Sequence, residues 1–179
     1  LIEDDTLRFF LDKMKIVETD SIIPGGRYHN RRDYMSFPNL GRYDLLYKTN
    51  DPLPIPGLSL EGSILGKIGK KDYLLHAPYQ SFSYLTKFLR EAALDPKVTS
   101  IKITLYRLAK NSQIISSLIN AAKNGKRVVV QIELQARFDE ASNISYAEQM
   151  QTEGIELIFG IKSLKVHSKI CVIERVEEG

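Results

Sequence analysis

VTSIKITLYRLAKNSQIISSLINAAKNGKRVVVQIEL, residues 98–134, decides the fold. Its opening residues are rich in apolar and β-branched side chains, which predicts a strand over 98–106. Residues 112–124 read as a helix, with Gly125 in the terminating position. Residues 127–134 read as a second strand. The run Val128-Val129-Val130 has the character of a strand covered on both faces. Strand, helix, strand with short connections implies a right-handed crossover and parallel pairing.

The same alternation extends outward. Toward the amino end, 72–76 is a short apolar stretch predicted to be a strand. Ser81 can cap a helix with Phe82, Leu85, Phe88, Leu89 and Ala92 at its apolar positions, ending near Asp95-Pro96. Toward the carboxyl end, a helix is predicted over 140–152, ending at Gly154, and a strand over 155–159. The connection 160–164 is only long enough for a hairpin-like return. The last strand, predicted over 165–172, therefore runs antiparallel. The expected fold class is α/β, a mainly parallel sheet flanked by helices with a final antiparallel strand.

Ahead of this domain, 4–16 reads as a helix. Asp4 or Asp5 can cap it, and Leu7, Phe10, Leu11 and Met14 fall at helical spacing. Pro24-Gly25-Gly26 ends regular structure there. Pro52, Pro54 and Pro56 forbid helix and interrupt sheet pairing, marking a boundary. The expected layout is a helical piece of another domain over 1–51, a linker over 52–57, and an incomplete α/β domain over 58–179.

Bulk properties narrow the class. A 43% hydrophobic content over 179 residues suits one ordinary core. No run approaches the ~18 apolar residues of a membrane span, and no signal peptide opens the chain. The single cysteine, Cys171, excludes an internal disulfide framework, fits a reducing cytoplasmic setting, and reads as a small buried thiol on the His167 face. A formal charge of +3 defines no partner, but Lys162, Lys165 and Lys169 stand together with no acid between 160 and 169. That suggests a local anion site without the long basic blocks of a nucleic-acid arm. The first residue is Leu and the chain stops soon after a strand-like run, so it reads as an excised piece of a longer protein.

Chemistry concentrates near the last strand. Side chains alternate along a strand, so His167 and Lys169 project from one face, a candidate nucleophile beside a positive charge. In open α/β sheets, sites form beyond the carboxyl ends of parallel strands. Arg107 ends one such strand and Arg137 lies just past the next. Arg107, Arg137, His167 and Lys169 are therefore expected to converge.

Three motifs at thirty-residue intervals carry a family resemblance: Ile103-Thr104-Leu105-Tyr106-Arg107, Gln135-Ala136-Arg137-Phe138-Asp139-Glu140, and Leu164-Lys165-Val166-His167-Ser168-Lys169. The set resembles the bacterial polyphosphate kinase family, the type whose catalytic half is built like phospholipase D. Residues 33–38, 74–79 and 124–126 resemble it too. The resemblance implies reversible transfer of the ATP γ-phosphate to inorganic polyphosphate through a phosphohistidine, with ATP, ADP and polyphosphate as partners. His167 matches the phosphorylated histidine, and Lys169 would hold non-bridging oxygens as a point charge. Arg107 and Arg137 match positions that the family associates with magnesium. A guanidinium has no lone pair for a cation, so the inferred role is phosphate binding, with the Mg2+ ion nearby on the phosphate. Asp139 and Glu140 read equally as metal ligands through water or as first-turn acids of a helix.

The resemblance further implies a homo-oligomeric, cytoplasmic full-length enzyme. Peripheral attachment to the inner face of the membrane is left open, and nucleic acid is not an expected partner. The family's N-terminal nucleotide-binding domain and second C-terminal half are not in this sequence, so the isolated chain is expected to be inactive. A phospholipase signature would place Asp five residues after Lys169, where this chain has Glu174. That departure weakens the rival reading as a phosphodiesterase or nuclease. The non-enzymatic rival is a polyanion-binding module. Arg27, His29, Arg31 and Arg32 suit either a polyanion path or a solvated loop. His29, His76 and Tyr106 read as structural.

Overall fold

The computed structural model describes residues 2–17, 22, 25, 31–109, 111–134, 136, 140–160 and 163–177, with backbone alone for 31–33. Arg27, His29, Arg137 and Asp139 lie outside that set, and Arg31 and Arg32 are described only as backbone. The chain divides into two compact units, Leu1–Asn50 and Asp51–Gly179.

In the first unit, α1 (Asp4–Met14) covers most of the predicted helix. It stops early because Lys15 turns into the left-handed region, where the Lys15 and Ile16 N–H groups bond back to Asp12 and Leu11. Glu3, rather than Asp4 or Asp5, takes the cap position. The two aspartates stand in the first turn, where negative charge favours the helix dipole. Two 3-10 turns, Arg31–Ser36 and Tyr43–Leu45, complete the regular structure described there.

The second unit is built on four strands: β1 (Val98–Leu105), β2 (Arg127–Ile132), β3 (Glu156–Phe159) and β4 (Cys171–Arg175), in the order β3-β2-β1-β4. β1 pairs in parallel with β2 from Ser100↔Arg127 to Leu105↔Ile132, and β2 pairs in parallel with β3. β4 runs antiparallel to β1. The fold is thus the expected mainly parallel α/β sheet with an antiparallel final strand.

Helices α3 (Ser83–Leu94), α4 (Gln113–Lys123) and α5 (Glu140–Thr152) pack on this sheet and on each other. Leu89, Leu118, Ile101, Val130, Ile132 and Met150 are fully buried in one core, each worth about 1.5–3 kcal/mol of transfer free energy. Gly125, at φ +77°, closes α4, and Lys126 then turns inward. Its buried ammonium donates to the carbonyls of Asp95 and Val98, tying the end of α3 to the start of β1.

A smaller cluster of Ile55, Leu58, Ile64 and Tyr84 seats the proline-rich segment on α3. The Ile55 N–H donates to the Tyr84 hydroxyl at 3.0 Å. The strand predicted over 72–76 does not form. Tyr73 and Leu75 turn toward this cluster, Leu74 faces solvent, and His76 closes a turn with Gln80. Tyr73 and Leu75 pack on this cluster and do not pair with β3 or β4, the edge strands of the described sheet. Among the described residues the one isolated bridge nearby is Leu53↔Gln80.

Candidate active site

Tyr106 is the first residue past β1, and its half-buried ring is the hub of the site. The His167 imidazole meets that ring edge-to-face, with centroids 5.1 Å apart and planes at 78°. The Lys169 ammonium lies 5.1 Å from the same centroid, and the Arg107 guanidinium carbon 5.8 Å from it. His167, Lys169 and Arg107 are all solvent-exposed. An imidazole and two cations, drawn from segments sixty residues apart, therefore contact one aromatic ring. Both cations sit within the range of cation–π attraction, which steadies them without neutralising their charge. Three of the four predicted residues meet in this way. The fourth, Arg137, lies outside the described residues.

The segment carrying His167 is not the strand predicted over 165–172. Ladder pairing begins only at Cys171, because polar side chains take over the hydrogen bonds before it. The Thr104 hydroxyl donates to the Ser168 carbonyl at 2.7 Å and accepts the Ile170 N–H at 2.9 Å. On the other flank, the N–H of buried Val166 donates to the Glu133 carboxylate at 3.1 Å. His167 and Lys169 still reach the same ring, and Lys169 also donates to the His167 carbonyl at 2.5 Å. The expected alternation fails at Cys171, which packs against the core instead of standing with His167. Burial pushes its thiol up to about 11, so it is a packing residue and not a thiolate.

Two polar residues that the sequence reading passed over complete the frame. Asn143 on α5 is fully buried, and its side-chain amide donates to the carbonyls of Tyr106 and Glu133, each at 2.8 Å. One turn on, the Tyr146 hydroxyl donates to the Ala109 carbonyl and accepts the Ser112 N–H. The loop after β1 is thereby fastened to α5. The available signal was Glu133 itself, a charge at the end of an apolar strand. Beside Arg107 opens a cleft of about 480 Å³ between the amino ends of α3 and α4, lined by Phe82, Ser83, Thr86, Ser112 and Gln113.

Anion binding is what this arrangement can do: an exposed ammonium and an exposed guanidinium approach the ring that the imidazole also meets, while the neighbouring cleft is lined by Arg107 but by neither His167 nor Lys169. Among the described residues no group of three or more His, Cys, Asp or Glu could hold a metal ion, and Glu140 stands exposed in the first turn of α5. The described residues therefore do not by themselves fit a magnesium site. Glu174, where a phospholipase signature would have Asp, is engaged by Ser100 and Lys102 of β1, each at 2.5 Å. The Lys102 ammonium and the Ser100 hydroxyl hold its carboxyl below the usual carboxylate range.

Comparison with known proteins places these features in a family. Residues 63–179 match the polyphosphate kinase C-terminal domain 1. The polyphosphate kinase of Vibrio vulnificus (strain YJ016) is 47% identical over 175 residues, covering 98% of this chain and 25% of that protein. That of Escherichia coli (strain K12) is 43% identical over 175 residues, with 94% and 25% covered. The crystal structure of polyphosphate kinase from Porphyromonas gingivalis superposes with a TM-score of 0.68 at 37% identity, covering 99% of this chain and 28% of that one. The chain thus spans about a quarter of the length of the curated relatives it matches.

Proposed function

The chain belongs to the polyphosphate kinase family, and on that premise we propose that it supplies the first phospholipase D-like half of an enzyme moving the terminal phosphate of ATP to inorganic polyphosphate and back. In this reading residues 58–179 belong to the catalytic domain, 52–57 link it to a preceding domain, and 1–51 are the end of that domain. The observation that carries the proposal is the gathering of His167, Lys169 and Arg107 around Tyr106.

A ring nitrogen of neutral His167 attacks the γ-phosphorus. The bond from that phosphorus to the β–γ bridging oxygen breaks, and ADP leaves with the electron pair. An oxygen of the polymer's terminal phosphate then attacks the phosphohistidine. The P–N bond breaks and returns its pair to the imidazole, so the cycle closes without net proton or electron change at the protein. Lys169 and Arg107, with Arg137, hold the non-bridging oxygens through both steps, where their charge offsets the charge spread over the transferring group. Magnesium would neutralise phosphate charge when bound, and would be held by phosphate oxygens. We place the enzyme in the cytoplasm as a homo-oligomer, and expect no turnover from the 179-residue chain alone. No described helix is long and apolar enough to cross a membrane.

Mass spectrometry of the full-length protein after exposure to ATP tests the mechanism. The expected result is one acid-labile phosphate on His167, and polymer synthesis reduced at least ~1,000-fold in His167→Ala, since loss of the attacking group removes the covalent route. Phosphate on another residue, or undiminished synthesis by His167→Ala, overturns it.

A further inference from the structure

Glu133 and Asn143 have no part in the reaction just described, yet both are buried, at 7% and 0% exposure, beneath the residues that do. Glu133 is the first residue past β2, as Tyr106 is the first past β1. Asn143 clips the two together by giving one amide proton to each carbonyl. The Glu133 N–H bonds to the Leu105 carbonyl at 3.1 Å, which extends the β1–β2 pairing to the lip of the sheet. From that fixed point the Glu133 carboxylate takes the N–H of Val166, the residue immediately before His167. A single polar path, Tyr106–Asn143–Glu133–Val166, therefore joins the two sides of the edge-to-face pair.

A carboxylate buried at the end of an apolar strand must be hydrogen-bonded, and a bond that Glu133 accepts comes from the residue next to His167. The Asn143 side-chain oxygen is buried with no partner among the described residues. An orphaned acceptor of this kind costs about 1–3 kcal/mol. We propose that Glu133 and Asn143 are positioning residues that set the His167 imidazole against the Tyr106 ring, which Arg107 also approaches. This rests on His167 being the nucleophile. Attack requires the nitrogen in line with the P–O bond, and a misplacement of ~1 Å costs about 100-fold in rate. The clip sets the height of residue 166, and with it the approach of residue 167.

Two variants of near-equal volume separate positioning from bulk packing in the full-length protein. Glu133→Gln keeps an acceptor for the Val166 N–H, whereas Glu133→Met does not. Glu133→Gln should retain slow exchange of the Val166 amide and phosphorylate His167 within about threefold of the parent rate. Glu133→Met should lose that protection and slow phosphorylation about 10- to 100-fold, with the KM for ATP changed less than about threefold. Asn143→Leu, which removes the clip from the other side, should show the same split between kcat and KM and serves if Glu133→Met does not fold. Loss of Val166 protection with an unchanged rate overturns the proposal, as does a Glu133→Gln variant as slow as Glu133→Met. Absence of phosphate on His167 in the parent protein sinks the reaction scheme instead. The clip is then still judged by Val166 exchange, which needs no ATP.

Discussion

β1 and the segment 166–170 lie side by side but are held in different ways. Ile101 and Ile103 belong to two ladders at once, one parallel and one antiparallel, above a core containing Leu89, Leu118 and Val130. The neighbouring segment is held by the Thr104 hydroxyl, the Glu133 carboxylate and an aromatic edge. The first arrangement is redundant: many small dispersion and burial terms act together, and no single hydrogen bond decides the outcome. The second is sparse, and each bond fixes one coordinate of the imidazole. Damage to the core should therefore appear as lost stability, and damage to the polar frame as lost rate.

The largest stability effect should come from Leu118→Ala. Leu118 has no exposed surface and sits where α4 meets the sheet. Removing three buried carbons and leaving a cavity costs about 3–5 kcal/mol, readable as a fall in urea midpoint at constant m-value. The surviving folded fraction should still react with ATP at close to the parent rate in the full-length protein. A selective loss of rate would mean that the core and the His167 frame are not separable.

Tyr106 tests the other side of the contrast. Tyr106→Phe keeps the ring that faces His167, Lys169 and Arg107, and should stay within about threefold of the parent rate. Tyr106→Leu removes both the edge-to-face contact, worth about 0.5–1.5 kcal/mol, and the two exposed cation–π contacts, about 0.5–1 kcal/mol each. If about half of that preference is lost in the transition state, phosphorylation of His167 slows about tenfold. Equal rates for the Phe and Leu variants would show that the ring is packing alone, the role the bare sequence suggested for it.

The same contrast explains what could be read in advance. The bounds of α4 and the core strands, to within a residue or two, follow from periodicity and a glycine stop, because burial on one face repeats along the chain. The meeting of Arg107 with His167 and Lys169 followed from topology, since parallel strands deliver their carboxyl ends to one edge. The stretch 72–76 has strand composition but packs on the cluster around Tyr84, and composition does not say whether a short apolar run will pair or pack. Residues 165–170 look like strand because Thr104 replaces ladder bonds by a side-chain route that alternation does not encode. Glu133 and Asn143 were missed for the same reason: their partners, Val166 and Tyr106, lie more than thirty residues away in sequence.

Glu91 offers the gentlest perturbation and a second example of a carboxylate holding backbone. It accepts the N–H groups of Ile64 and Leu65 at 2.9 and 3.1 Å, the Ser63 hydroxyl at 3.0 Å and the Lys87 ammonium at 3.0 Å, capping α2 (Ile64–Ile68) from α3. Burial pushes this carboxyl up, but the Ile64 and Leu65 N–H groups, with Lys87 and Ser63, outweigh it and leave it below the ordinary 4.5. A carboxyl depressed by folding stabilises above its unfolded pKa, and that contribution fades as pH falls through the folded value. Glu91→Gln should therefore cost about 1–2 kcal/mol at pH 7, measured as a shift in urea midpoint. The gap between parent and variant should narrow as pH is lowered below about 4.5, the ordinary value from which the group is depressed. Unlike Glu133, Glu91 holds no residue next to the imidazole, so Glu91→Gln should leave the phosphorylation rate of His167 within about threefold in the full-length protein. A pH-independent gap would assign its effect to shape instead of charge. A large loss of rate would mean that the polar frame around His167 reaches as far as α2, and the division between a redundant core and a sparse site would have to be redrawn.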